Sequence, residues 1–145
     1  YSHILSNNKI PLSFWRKLSG ISDTNAGRHH RLTDQLGRFE ICVFDHMSTA
    51  FLEAFAMKVP TVLFWKEAYN PPNPDLIPYL EILEKALILH LTPESAANHL
   101  NNIYHDILCW WQSANVQNAI KIFSNTYARR SNRWRHEWCA FLKNI

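Results

Sequence analysis

The chain has 145 residues, of which 47% are hydrophobic and 13% aromatic, with three glycines and a formal net charge of +3. This composition excludes an intrinsically disordered chain and a loop-rich scaffold, and the length is enough for one domain with a hydrophobic core. The weakly basic balance is compatible with an anionic ligand or an anionic membrane surface. The sequence contains no apolar run of about 18 residues and no leader segment, so we expect neither a membrane-spanning helix nor a signal peptide.

The cysteines and histidines show no metal-binding pattern. Cys42, Cys109 and Cys139 are odd in number and form no C-x-x-C pair, which predicts buried thiols in a reducing, cytoplasmic compartment. His29 and His30 are adjacent, and the remaining histidines have no spacing that places ligands on one helical face. We therefore expect no metal site and no cofactor.

The first forty residues carry weak patterns. Ile10–Phe14 is a candidate strand, and residues 21–31 have the composition of a loop. We interpret Arg28, His29 and His30 in this loop as solvated side chains that could also supply positive charge to a phosphate. Thr33 is placed to cap a short helix that extends through Arg38.

Residues 41–65 carry the strongest pattern in the chain. Ile41–Phe44 and Thr61–Trp65 are short apolar runs that are typical of buried strands. Between them, Ala50–Met57 is helix-forming and almost wholly apolar. A helical connection between two such strands favours a parallel β-α-β unit with a right-handed crossover. We therefore predict an α/β fold with a Rossmann-like parallel sheet and flanking helices.

Four polar residues surround the start of the predicted crossover helix. Asp45 ends the first strand at the carboxyl edge of the sheet, and Ser48 and Thr49 lie where an N-cap belongs. Free backbone N–H groups and two hydroxyls at such a place favour an anion such as phosphate. Glu53 follows Thr49 by one turn, too late for a capping box, and needs another partner. Singly, these residues could be a helix cap and a turn, but their combination predicts a phosphate site.

The chain after Trp65 changes from mixed to helical patterns. Residues 66–74 contain three prolines and predict a loop at the carboxyl edge of the sheet, where ligands bind. Pro78–Ala86 is predicted as a helix and Leu87–Leu89 as a third strand that ends at His90. From Thr92 onward, helix-start signals and apolar residues spaced by three and four predict an all-helical C-terminal part.

That helical part contains aromatic stripes and one basic cluster. We interpret the stripes as core, because apolar residues at helical spacing are usually buried. They comprise Ala96, Ala97, Leu100, Ile103, Tyr104, Ile107, Val116, Ala119, Ile120, Phe123, Tyr127, Trp134, Trp138, Phe141, Leu142 and Ile145. Arg129, Arg130, Arg133 and Arg135 predict a solvated helix end, with no nucleic-acid module around them and hence no nucleic-acid partner. A contact with phosphate or with the anionic inner face of a membrane is the alternative.

The chain also resembles a known group of enzymes. The pattern D-x-x-S-T-x-x-x-E-x-x-x-x-x-x-P-T from Asp45 to Thr61 resembles the C-terminal half of GT-B glycosyltransferases. Within these it is most similar to a bacterial family of surface-carbohydrate biosynthesis transferases. The segments P-T-V-L-F-W, T-P-E-S-A-A, C-W-W and F-x-x-x-Y-A-R-x-S follow in that family's order, so the resemblance covers about residues 40–142.

The resemblance implies a donor-binding function. Ser48, Thr49 and Glu53 would contact the phosphate and sugar of a nucleotide-sugar donor, and Asp45 would position the turn or contact the acceptor side. The unit would be transferred to a cell-surface glycan or lipid-linked acceptor. Because the chain begins with Tyr1 and not with Met, we expect residues 1–145 to be the single donor-binding domain of a longer, two-domain transferase, inactive alone. A sugar-nucleotide epimerase and a non-catalytic phosphosugar-binding or partner-docking module remain alternatives.

Overall fold

The computed structural model describes residues 32–65, 73–129 and 131–144. The predicted strand Ile10–Phe14, the loop 21–31 and most of the loop 66–74 lie outside these residues. Within them the chain forms one short 3₁₀ helix (Pro74–Leu76), three strands and seven α-helices: α1 (Leu32–Leu36), β1 (Cys42–Phe44), α2 (Thr49–Ala56), β2 (Thr61–Phe64), α3 (Ile77–Lys85), β3 (Leu89–His90), α4 (Pro93–Ile103), α5 (Ile107–Gln112), α6 (Ala114–Tyr127) and α7 (Trp134–Leu142).

The strands form one parallel sheet in the order β1-β2-β3. Val43 lies opposite Val62 in the first pair, and Leu63 lies opposite Leu89 in the second. Val62 and Leu63, on the central strand, are both 0% exposed, so this strand is buried on both faces. The predicted α/β class and the parallel pairing of β1 with β2 are confirmed, with β3 further along the sheet.

Helix α2 supplies the centre of the hydrophobic core. Phe51 and Phe55 are 0% and 1% exposed. The ring centroid of Phe55 lies 5.5 Å from that of Phe123 on α6 and 6.2 Å from that of Trp111 on α5. These edge-to-face contacts add an electrostatic component to the burial of apolar area. Phe51 and Phe55 are therefore core residues, whereas Leu52 is only partly buried.

Helices α2 and α3 both end in left-handed backbone without a glycine. Lys58 follows α2 with a φ of 60°, and Leu87 follows α3 with a φ of 58°. In both places the next backbone N–H bonds at 3.0 Å to the carbonyl oxygen five residues before it. This is a Schellman cap, a position that favours glycine because glycine has no Cβ. Leu87 therefore belongs to the cap of α3, and β3 begins at Leu89 and not at Leu87 as predicted.

Two other helix boundaries differ from the prediction. Helix α1 begins at Leu32, so Thr33 lies inside the helix and does not precede it. The helix predicted to continue from Thr92 through Ile107 is interrupted, because Asp106 caps a new helix by accepting the backbone N–H of Cys109 at 3.0 Å. A short acidic residue competes well for such a position, since its carboxylate satisfies a free N–H of the first turn.

The predicted stripe on α7 is not core in the described part of the chain. On α6 the stripe residues Val116, Ala119, Ile120 and Phe123 are buried, and Tyr127 is 36% exposed. On α7, Trp134, Trp138 and Phe141 are 55%, 58% and 59% exposed. Helical spacing defines an apolar face and does not identify what packs on it. The prediction that the α7 stripe is core is therefore wrong for these residues.

The cysteine prediction is right for one residue of the three. Cys42 is buried, and burial raises the pKa of its thiol. Cys109 and Cys139 are exposed, so they are not the predicted buried thiols. Among the helices of the described ranges, none is long and apolar enough to cross a membrane.

Candidate functional site

Two of the predicted site residues, Asp45 and Ser48, lie in the short connection between β1 and α2, and a third, Thr49, is the first residue of α2. Strand β1 ends at Phe44, Asp45 follows directly, and α2 begins at Thr49 with Ser48 before it. Since the strands are parallel, this connection lies at the carboxyl edge of the sheet, where open α/β sheets bind their ligands. Glu53 lies one turn further along α2.

Ser48 is the N-cap residue of α2 but does not use its side chain for capping. Its backbone is extended, with a φ of −123° and a ψ of 172°, and its hydroxyl makes no capping hydrogen bond. Its carbonyl oxygen accepts the backbone N–H of Leu52 at 3.2 Å, so the N–H groups before Leu52 have no partner within the helix. These N–H groups and the hydroxyls of Ser48 and Thr49 are suitable donors to an anion.

Asp45 contacts a residue that the sequence analysis did not single out. His46 Nδ1 lies 2.6 Å from Asp45 Oδ1, and both side chains are largely exposed. An exposed pair of this kind contributes little to stability. A carboxylate that accepts from Nδ1 leaves Nε2 of the neutral imidazole as a proton acceptor. The adjacent Asp and His at the end of a predicted strand were the signal that could have identified His46.

Glu53 is half-buried on α2. Thr49 and Glu53 are separated by four residues and therefore share one helical face. No cation within the described ranges forms an ion pair with the Glu53 carboxylate. A half-buried carboxylate is best satisfied by hydrogen-bond donors, and the hydroxyls of a sugar or ribose are of that kind.

The end of β3 adds a second group of polar residues to the same edge of the sheet. His90 is 4% exposed, and its Nδ1 lies 2.9 Å from the hydroxyl oxygen of Ser95. Its Nε2 lies 3.0 Å from the carbonyl oxygen of Leu87, which can only accept, so Nε2 carries a hydrogen and donates. Thr92 caps α4 as predicted and accepts the backbone N–H of Ser95 at 3.1 Å.

The sequence did not predict the contacts within this second group. The sequence predicts Thr92 as a cap and His90 as the end of a strand, but the link between His90 and Ser95 requires the turn between β3 and α4. Strand β2 separates the two groups, so they lie about two strand spacings, or roughly 10 Å, apart along the edge. The contact between His90 and Ser95 holds the end of β3 against the start of α4.

Comparison with known proteins identifies the family. Residues 11–142 match the family described as LIC12162 family transferase, which is most of the chain. No curated protein and no solved structure shows significant similarity to the chain. The match includes both strands and the helix that form the candidate site. The chain therefore belongs to the LIC12162 family of transferases.

Proposed function

We propose that the chain binds a nucleotide-sugar donor at the start of α2, as the donor-binding half of a GT-B glycosyltransferase. The observation that carries this proposal is the N-cap of α2, where the hydroxyl of Ser48 is not used for capping at the carboxyl edge of a parallel sheet. Membership of a transferase family supports a group-transfer reaction. The sequence resemblance supports a sugar as the transferred group.

The proposed chemistry relies on donors that point at a phosphate. When a sugar leaves its nucleotide, negative charge develops on the phosphate oxygen of the leaving group. Backbone N–H groups of the first turn of α2 and the hydroxyls of Ser48 and Thr49 stabilise that charge, because they are already oriented and need no proton transfer. Glu53 accepts hydrogen bonds from sugar or ribose hydroxyls. Asp45 holds the turn, together with His46, or contacts the acceptor side.

The proposed acceptor is a cell-surface glycan or a lipid-linked precursor, which places the enzyme at the inner face of a membrane. Helix α7 supports such a contact. Trp134, Trp138 and Phe141 are more than half exposed on one face. The guanidinium of Arg135 lies 5.2 Å from the ring centroid of Trp134. Residues 129–145 contain five basic residues and one acidic residue, a formal charge of +4 against +3 for the whole chain. A basic, tryptophan-rich helix of this kind binds anionic lipid surfaces.

The donor proposal is tested by thermal unfolding of the full chain with CMP, CDP, UDP or GDP, each with and without an attached sugar. Selective binding to the folded state raises the unfolding temperature for one nucleotide. We expect one nucleotide and its sugar conjugate to stabilise the chain and the others to have little effect. Equal stabilisation by all of them, or by none, would contradict a specific donor site. Stabilisation by sugar phosphates without any nucleotide preference would favour the phosphosugar-binding module.

A further inference from the structure

A polar cavity lies at the other end of α2 from the candidate donor site. It has a volume of about 860 Å³ and lies between the C-terminal end of α2 and one face of α6. Since α2 starts at the carboxyl edge of the sheet, its end lies towards the opposite, amino edge. The length of the helix, about 12 Å for eight residues, separates the two places. The volume is in the range of small-molecule binding sites.

The described residues that line this cavity carry positive charge and no negative charge. They include Lys58, Lys121 and Arg129, together with the amide side chains of Gln117, Asn125 and Asn132, and contain no Asp or Glu. Arg129 also forms an exposed ion pair with Glu137, at 3.4 Å between Nη2 and Oε2. Within the described ranges, no carboxylate forms an ion pair with Lys58 or Lys121. Among the described residues, neither lysine charge is therefore neutralised in an ion pair.

Hydrogen bonds occupy some of the carbonyl groups at the end of α2. A helix C-terminus carries partial negative charge on its free carbonyls. Here the carbonyl oxygens of Ala54 and Phe55 accept the backbone N–H groups of Val59 and Lys58, each at 3.0 Å. The carbonyl oxygen of Lys58 accepts the indole N–H of Trp111 at 3.2 Å. The capped carbonyls are thus satisfied, and the Lys58 side chain adds a positive charge beside them.

We propose that this cavity is a second binding site, for a small anion with at least two negative charges carried by phosphate or carboxylate groups. Lys58 and Lys121 supply the charge, the amide side chains supply hydrogen-bond donors, and the apolar side chains of Ile120 and Ala128 line the remainder. The site is separate from the donor site at Ser48 and Thr49, so either can exist without the other.

Calorimetric titration of the full chain with pyrophosphate and, separately, with citrate at equal ionic strength tests this proposal. The two arms distinguish phosphate from carboxylate as the preferred group. Lys121→Gln should weaken binding of the preferred anion about tenfold, because it removes one charge-assisted contact. Lys58→Asn should weaken binding similarly, because it removes the other lysine charge. Asparagine is chosen because it tolerates left-handed backbone and so preserves the cap. Lys85→Gln, a matched change at the exposed end of α3, should leave binding unchanged.

A further variant separates the two sites. Ser48→Ala combined with Thr49→Ala should leave this binding intact. Failure of both anions to bind, or equal binding by the parent chain and the Lys121→Gln variant, would overturn the proposal. Loss of binding in the Ser48 and Thr49 variant alone would assign the anion to the donor site.

Discussion

The indole N–H of Trp111 donates to the carbonyl oxygen of Lys58 at 3.2 Å, and so links α5 to the left-handed residue that ends α2. Two residues separated by 53 positions thereby fix the point where the crossover helix turns toward β2. This partly buried hydrogen bond favours one geometry of the cap. The same helix carries the core phenylalanines at its centre and the candidate donor site at its start.

The aromatic core of α2 predicts a large loss of stability on truncation. Phe55 is 1% exposed and contacts Phe123 and Trp111. Phe55→Ala should lower the free energy of unfolding by about 3–5 kcal/mol, because it removes buried area and leaves a cavity. Urea denaturation measures this change. Tyr104→Ala, at a position that is 73% exposed, is the control and should change stability little. An unchanged midpoint for Phe55→Ala would mean that α2 does not form the core.

The left-handed caps predict an increase in stability when glycine is introduced. Left-handed backbone costs an L-residue about 1–2 kcal/mol, and glycine avoids this cost but loses about 0.5–1 kcal/mol through its larger unfolded-state entropy. Lys58→Gly should therefore raise the free energy of unfolding by about 0.5–1 kcal/mol. Leu87→Gly tests the same effect at α3, with a smaller gain because part of the Leu87 side chain is buried. A loss of stability in Lys58→Gly would show that its side chain contributes more than the cap costs.

The sequence predicted the sheet because its determinants are local. Short apolar runs before Asp45 and after Pro60, joined by an apolar helix, allow few other arrangements. The left-handed conformation of Lys58 could not be predicted from the sequence, because this position of a helix cap is usually a glycine and here it is a lysine. The link between His90 and Ser95 and the exposure of Trp138 depend on which elements meet in space. Neither spacing nor composition contains that information, so the core was predictable and the surfaces were not.

The buried histidines predict that acid weakens the fold. His90 and His99 are 4% and 7% exposed, with ring centroids 5.2 Å apart. Burial lowers the pKa of both below the ordinary 6.5, and the neighbouring His90 lowers that of His99 further, while the Leu87 carbonyl and Glu84 partly oppose the shift at His90. The unfolded chain therefore binds more protons than the native chain as the pH falls below 6.5. The contribution of these two histidines to the free energy of unfolding is fully present above pH 6.5. It is lost as the pH falls towards each native pKa, by up to about 1.4 kcal/mol per pH unit for each proton.

Urea denaturation at pH 7.5 and pH 5.5 measures this effect. The midpoint should be lower at pH 5.5, and His99→Leu should reduce the difference, because it removes one buried proton acceptor whose Nε2 has no partner among the described residues. His105→Gln, at an exposed position, should leave the difference unchanged. Equal midpoints at the two pH values would contradict the assignment of neutral, buried histidines.

The exposed face of α7 predicts binding to anionic vesicles. The chain should co-sediment with vesicles that contain phosphatidylglycerol and much less with neutral phosphatidylcholine vesicles, and binding should weaken at high salt. Replacing Trp134 and Trp138 by serine should reduce the affinity about tenfold, because both indoles would leave the interface. Tyr104→Ser removes an exposed aromatic residue elsewhere and is the control. Equal binding to both kinds of vesicle, or no binding to either, would exclude this membrane contact.

The donor site at the start of α2 is the central claim, and calorimetric titration of a Ser48→Ala and Thr49→Ala double variant tests it most directly. The ligand is the nucleotide that stabilises the parent chain in the thermal panel. The double variant should bind it more than about tenfold more weakly, because two hydroxyl donors to a charged phosphate are lost. Its unfolding temperature should change little, since the Ser48 hydroxyl makes no capping bond in the described structure. Binding as tight as that of the parent chain would show that Ser48 and Thr49 only begin a helix, and the donor site would have to lie elsewhere.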